Sequence, residues 1–249
     1  MAATIPCDAH QPGPRDDPRP GDNEPGSAYL RPMANLSGRW AVGTGVTRVF
    51  IQIIQGTCRD AEALRRQTEM WREEVGPKAQ GWLGGTFGVT DDSRFIGVVR
   101  FESAEAAERN SARPEQGAWW AVAEKLFEGE VTFRNSDEVI LYLDGGSDDA
   151  GFVQVIQGQV ADPEGFRRFM NQPMDRLRDA RPEIIGGSIA LEPDGRFTET
   201  VAFVSEEAAR VGETREMPEE LQQAWENQVA EMRDINYLNL RRPWFASRE

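Results

Sequence analysis

Histidine is all but absent from this chain of 249 residues: its one copy, His10, lies in the proline-rich start. The rest of the chain therefore has no Ser-His-Asp triad. Cysteine is nearly as scarce. Cys7 and Cys58 form neither a metal-binding spacing nor a disulfide framework, so no metal site is expected. Lysine is also rare: of 28 basic residues only Lys78 and Lys125 are lysines, which leaves 26 arginines. That bias reads as the coding habit of a GC-rich genome rather than a function. Positive charge is in deficit overall, at −14. Residues 1–47 carry four Arg against five Asp and Glu, so −13 falls on the remainder. Such a surface repels phosphate backbones and anionic lipid, and neither nucleic acid nor membrane is an expected partner. No hydrophobic run approaches the roughly 18 residues a membrane helix needs. The N-terminus also lacks a basic-then-apolar signal pattern, and a cytoplasmic protein is expected.

What the chain does contain is an echo. Residues 50–56 read FIQIIQG and residues 152–158 read FVQVIQG. At an offset of 102, 20 of the 61 positions from 50 to 110 match without a gap. The matches fall in blocks. Asp60, Glu62, Arg65 and Arg66 meet Asp162, Glu164, Arg167 and Arg168; Gly84-Gly85 meets Gly186-Gly187; Ser103 meets Ser205. An internal repeat sets architecture before any other argument, here two copies of one small α+β unit.

Residues 1–47 hold seven of the fifteen prolines and are expected to be disordered, since they cannot bury enough apolar area to offset ordering entropy. The first unit, 48–143, reads β-α-β-β-α-β. Residues 48–56 form an apolar strand, and Asp60 caps a helix to about Val75 with Leu64, Thr68, Trp71 and Val75 on one stripe. Strands follow at 81–90 and 94–102. Ser103 caps a short helix that breaks near Asn110 and Pro114 and resumes over 115–128. The last strand is expected to start at 131–133, with 138–143 as its main part. A polar linker, 144–150, leads to the second unit, 151–240, which repeats the plan. There Pro163 suits a first helical position, Pro173 breaks the helix, and Pro193-Asp194-Gly195 is a turn. The long helix is expected at 218–233, the closing strand at 235–240, and a C-terminal tail at 241–249. The paired glycines 84-85 and 186-187 suggest a bulge or a close backbone approach, and lack the strand–turn–helix setting of a nucleotide site.

The strand FIQIIQG, the strand 95–101 followed by Ser103-Ala104-Glu105-Ala106-Ala107, and the stretch Asn110-Ser111-Ala112-Arg113-Pro114-Glu115-Gln116 carry a likeness. The chain resembles the antibiotic-biosynthesis-monooxygenase-like group of the dimeric α+β barrel superfamily, over roughly residues 48–240. The resemblance implies two ferredoxin-like units packed sheet to sheet. Fused in one chain, they form an intramolecular pseudo-dimer, which is a monomer or a homodimer overall. The physical need is plain, because each sheet has one face covered by helices and would expose Phe, Ile and Val on the other. The group includes monooxygenases that use no cofactor, haem-degrading enzymes, isomerases and proteins with no known reaction. Haem degradation typically relies on a histidine ligand, which neither repeat has. The expected partner is a small apolar or aromatic ligand, with no cofactor. The resemblance leaves open a cofactor-free monooxygenase and a non-catalytic scaffold or ligand-sequestering module.

The repeats diverge unequally. The first holds Trp71, Trp82, Trp119 and Trp120, and Arg100 is matched by Ala202. The candidate ligand-binding residues are therefore Gln52, Trp82, Arg100, Trp119 and Trp120, around a pocket between the helices and the sheet of the first unit. Each has a structural alternative. Tryptophans at helical spacing usually pack a core. Trp119 and Trp120 are adjacent and point about 100° apart, so at most one faces a pocket. Gln52 and Gln55 recur as Gln154 and Gln157, which favours shared structural hydrogen bonds. Arg100 reads as an ion-pair partner as readily as a substrate clamp.

Overall fold

A computed structural model of the protein describes residues 49–145, 147–170, 175–216 and 218–247. The proline-rich segment 1–47 and the helix break expected at Pro173 lie outside the described residues.

The first half begins with β1 (Phe50–Cys58), whose near-continuous apolar sequence suits a central strand. It is flanked by β3 (Arg94–Phe101) and β4 (Phe127–Ser136), both antiparallel to it. Between them in sequence come α1 (Ala61–Met70), a π-helical turn (Trp71–Val75), β2 (Trp82–Val89), α2 (Ala104–Ser111) and α3 (Pro114–Ala123). Asp60 accepts from the Ala63 amide at 2.9 Å and Ser103 from the Ala106 amide at 3.3 Å, the two expected N-caps. The second half repeats this with β6 (Phe152–Val160), α4 (Pro163–Met170), α5 (Asp175–Ala180), β7 (Ile184–Leu191), β8 (Arg196–Phe203), α6 (Glu206–Glu213), α7 (Glu219–Ala230) and β9 (Met232–Leu240). Both glycine pairs sit at a register shift, between Trp82 and Gly84 and between Ile184 and Gly186. Gly84 has φ +146°, a value L side chains rarely adopt.

Two strands depart from the sequence reading. β5 (Glu138–Tyr142) is not the end of the first sheet; after Asp137 the chain crosses over, and β5 pairs with β7 of the second. Likewise β10 (Trp244–Ser247), inside the segment expected as a tail, pairs with β2 of the first. The sheet orders are β10-β2-β3-β1-β4 and β5-β7-β8-β6-β9. Each half thus lends a strand that covers the open edge of the other, which protects edges that would otherwise invite pairing. β4 and β9 also begin before the expected 131 and 235. Their first residues gain ladder partners on β1 and β6 beyond a bulge in each, Thr57↔Glu128 and Gln159↔Arg233.

Three cores result. Phe50, Leu64, Trp71, Trp82 and Phe101 pack between the first sheet and its helices. Phe152, Phe166, Phe197, Val201 and Phe203 do the same in the second half. Ile51, Ile53, Ile96, Val98, Val153 and Val155 pack between the sheets. The result is the α+β pseudo-dimer expected, with ferredoxin-like halves joined face to face.

Candidate functional site

Strand alternation decides which face each candidate occupies. On β1, Phe50 and Ile54 join the helix-side core while Ile51 and Ile53 join the core between the sheets. Gln52, on the helix side, donates to Asn135 Oδ1 of β4 at 3.3 Å. Its repeat mate Gln154 donates to Asn239 Oδ1 at 2.9 Å, so the recurring amide is a strand-to-strand clamp. Trp82 also faces the helices.

The first half's tryptophans form a packed wall. Trp71 and Trp82 meet nearly edge to face with ring centroids 4.8 Å apart, and Trp119 lies 6.5 Å from Trp71. Trp119 donates from Nε1 to the Gln67 carbonyl at 2.7 Å. Trp120 turns to Phe127 and Phe133 of β4, 6.2 and 5.1 Å away. The stretch that carried the family likeness secures this wall. Trp71 Nε1 donates to Gln116 Oε1 at 2.6 Å, and Asn110 accepts from Arg113, whose guanidinium also donates to the Val75 carbonyl. Aromatic rings and hydrogen bonds crowd the region where a pocket was expected. Trp82 Nε1 is buried there with no hydrogen-bond partner among the described residues.

Arg100 lies on the other side of the sheet. It pairs with Ile51 across the β1–β3 ladder and faces the second sheet. A cavity of about 440 Å³ opens there. Leu83, Thr86 and Arg100 line it from the first sheet; Val153, Thr200 and Ala202 from the second; Leu141 and Phe245 from the exchanged strands; Ser147 and Asp148 from the linker. Arg100 and its repeat mate Ala202 line the same space, as do Leu141 and Phe245, which occupy equivalent positions on β5 and β10. The cavity therefore straddles the pseudo-twofold relation of the halves, and divergence leaves it one arginine in place of two.

Among the described residues Arg100 makes no hydrogen bond or ion pair. Burial pushes its guanidinium below the ordinary value, and the Asp148 carboxylate acts in the opposite direction from a distance too great for an ion pair. Asp148 instead accepts from the Ser247 hydroxyl at 2.8 Å, tying the linker to β10 at the cavity. A second cavity of about 390 Å³ runs along α1 and β10 and shares Asp148 and Phe245 with the first. Toward the far ends of β1 and β6 the space between the sheets is sealed by Gln55, Gln157, Thr198 and Arg134, the last paired with Glu192 at 2.6 Å.

The structure thus gathers Gln52, Trp82, Trp119 and Trp120 on the helix side and separates Arg100 from them. Sequence reasoning missed Thr86, Thr200, Asp148 and Phe245, whose convergence depends on sheet packing and strand exchange. It also missed a polar set inside the second half. Tyr142 of β5 donates to Glu199 Oε1 at 2.8 Å, both buried, and Gln154 Oε1 is buried with no hydrogen-bond partner among the described residues. Burial, and then the Glu199 charge, hold the Tyr142 hydroxyl well above the ordinary tyrosine value. Among the described residues no group of three or more His, Cys, Asp and Glu is placed to hold a metal ion. No helix among them is long and apolar enough to cross a membrane.

No known family model matches this chain, and no curated protein sequence matches it. Solved structures do. A protein proposed to be a monooxygenase from Lactobacillus acidophilus NCFM has TM-score 0.63 at 15% identity, over 80% of this chain and 96% of its own. Another with the same description, from Fusobacterium nucleatum subsp. nucleatum, has TM-score 0.58 at 10% identity, over 81% and 94%. An anthrone oxidase-like protein has TM-score 0.52 at 13% identity, over 81% and 94%. Each match covers a share of this chain that spans both halves. At these identities the likeness is one of fold, and it agrees with the fold implied by the sequence resemblance.

Proposed function

We propose that this chain is a small-molecule-binding barrel whose ligand, apolar or aromatic in its body, lies between the two sheets in the Arg100 cavity. The observation that carries the reading is the lining itself: apolar side chains from both repeats around one half-buried guanidinium that makes no hydrogen bond or ion pair among the described residues. Ligand sites commonly combine an apolar wall with a few polar groups that set orientation. An enclosed charge without a partner costs stability, and a bound ligand supplying the missing group offsets that cost. The test is ligand retention in Ala202→Phe, which fills the cavity from the face opposite Arg100. Loss of binding with an unchanged fold supports the reading, and undiminished binding overturns it.

The descriptions of the similar structures favour a second reading, in which the bound compound is also oxygenated. For an anthrone, the ring CH₂ loses its two hydrogens and gains an oxygen atom as a ketone. The second atom of O₂ leaves as water. The protein's part is to exclude water and orient the compound. Asp148 is the carboxylate of the lining, available to accept a proton. Oxygen uptake equal to the anthrone consumed, above the buffer rate, supports this reading. Absence of turnover from folded protein leaves a binding or sequestering barrel.

A further inference from the structure

We infer that the group held at Arg100 is a carboxylate, so that the ligand is a small monoanionic acid with an apolar or aromatic body. The inference deepens the binding reading above and rests on it. Its first support is geometric. Gly84 gives the guanidinium its place: a Cβ there would lie 3.0 Å from Arg100 Nη2 and 2.8 Å from the Ala246 carbonyl. Arginine presents a planar fork that matches a carboxylate with two parallel hydrogen bonds. Here none of those donors is taken by another described residue.

The second support is the asymmetry. An exact repeat would place a second arginine across the cavity, but Ala202 stands there, and the walls nearby are Leu83, Val153 and Phe245. One cation beside apolar walls, with the Asp148 carboxylate on the linker side, fits a molecule with one negatively charged end. The third is charge. Asp148 faces the same space, and about −13 of net charge lies on the chain after residue 47, so a multiply charged phosphate would meet stronger repulsion than a single carboxylate does. Thr86 lines the cavity as a further hydroxyl donor, while the Ser147 and Ser247 hydroxyls already donate to Asp149 and Asp148.

The experiment compares acids with their neutral amides on the wild-type protein: benzoate with benzamide, 1-naphthoate with 1-naphthamide, and anthracene-9-carboxylate with its amide, by titration calorimetry. At least one acid is expected to bind about tenfold or more tightly than its amide, the scale of a charge-assisted hydrogen bond. Arg100→Gln should remove the difference between the pair, and Arg100→Lys should restore part of it. The wild-type comparison stands even if a variant fails to fold. If acid and amide bind alike, the cavity reading survives and the carboxylate assignment falls. If no member of the panel binds, both fall together.

Discussion

Gln55 and Gln157, repeat mates 102 residues apart, hold each other's side-chain amides across the interface of the halves. Gln55 Nε2 donates to Gln157 Oε1 at 3.0 Å, and Gln157 Nε2 donates to Gln55 Oε1 at 3.1 Å. Arg134 adds a bond to Gln55 Oε1 at 3.0 Å, and both Arg134 and Gln157 donate to Thr198. The repeat thus produces its own contact: a residue that recurs in sequence meets its copy in space. Because the amides satisfy each other, replacing one alone leaves its partner short in a half-buried site. Gln157→Leu is expected to cost about 1–3 kcal/mol in chemical denaturation. Gln55→Leu/Gln157→Leu should cost less than the sum of the single changes, with a coupling of about 1 kcal/mol. Additive losses would show that the pair does not act as a unit.

Two glycines give opposite expectations for the same substitution. A Cβ at Gly187 would lie 2.3 Å from both Tyr142 Oη and the Thr200 carbonyl, with backbone on one side and a buried ring on the other. Gly187→Ala should destabilise by about 1–3 kcal/mol or more. Gly117, in α3, has nothing within 4 Å of its Cβ position. Gly117→Ala should stabilise by about 0.5–1 kcal/mol, since alanine is the better helix former. Thermal unfolding of the two variants side by side checks both signs.

A Trp71 variant distinguishes the helix-side wall from the cavity. Trp71→Phe removes the bond to Gln116 and part of a buried ring contact. It is expected to lose about 1–3 kcal/mol of stability. Affinity for an aromatic acid should stay within about twofold of wild type, because the wall lies on the far face of the sheet from Arg100. A large affinity loss in folded Trp71→Phe would put the ligand among the tryptophans instead.

Tyr142 sets an alkaline limit. In the unfolded chain its hydroxyl ionises near pH 10. In the folded protein burial and Glu199 hold the proton to higher pH. The folded state therefore binds more protons above about pH 10, and stability falls as pH rises through and beyond that value. Below it the contribution is fully present. Tyr142→Phe should flatten that alkaline limb in denaturation curves taken from pH 8 to 11. An unchanged limb would mean that other groups set it.

Much of the fold was legible because its signals are local. The echo of FIQIIQG marks the two units, Asp60, Ser103 and Ser205 cap helices where expected, and the paired glycines mark bulges in both β2 and β7. The strand exchange was not legible. Nothing in 138–142 or 244–247 states which sheet offers the open edge, and that choice is made by packing of the halves. The candidate site was read in part. Arg100 emerged from the divergence between repeats, but grouping it with Gln52 and Trp82 required knowing the register. Ile51↔Arg100 and Trp82↔Phe101 put consecutive residues of β3 on opposite faces. The cavity needs both sheets, the linker and β10, so no single stretch of sequence carries its signature.

The most direct test is native and denaturing mass spectrometry of the wild-type protein and Ala202→Phe, each before and after incubation with anthracene-9-carboxylate. A small-molecule adduct is expected on the native wild-type chain, lost on denaturation and absent from folded Ala202→Phe. A wild-type chain that remains bare after incubation, or an adduct that Ala202→Phe keeps in full, would contradict a ligand site between the sheets.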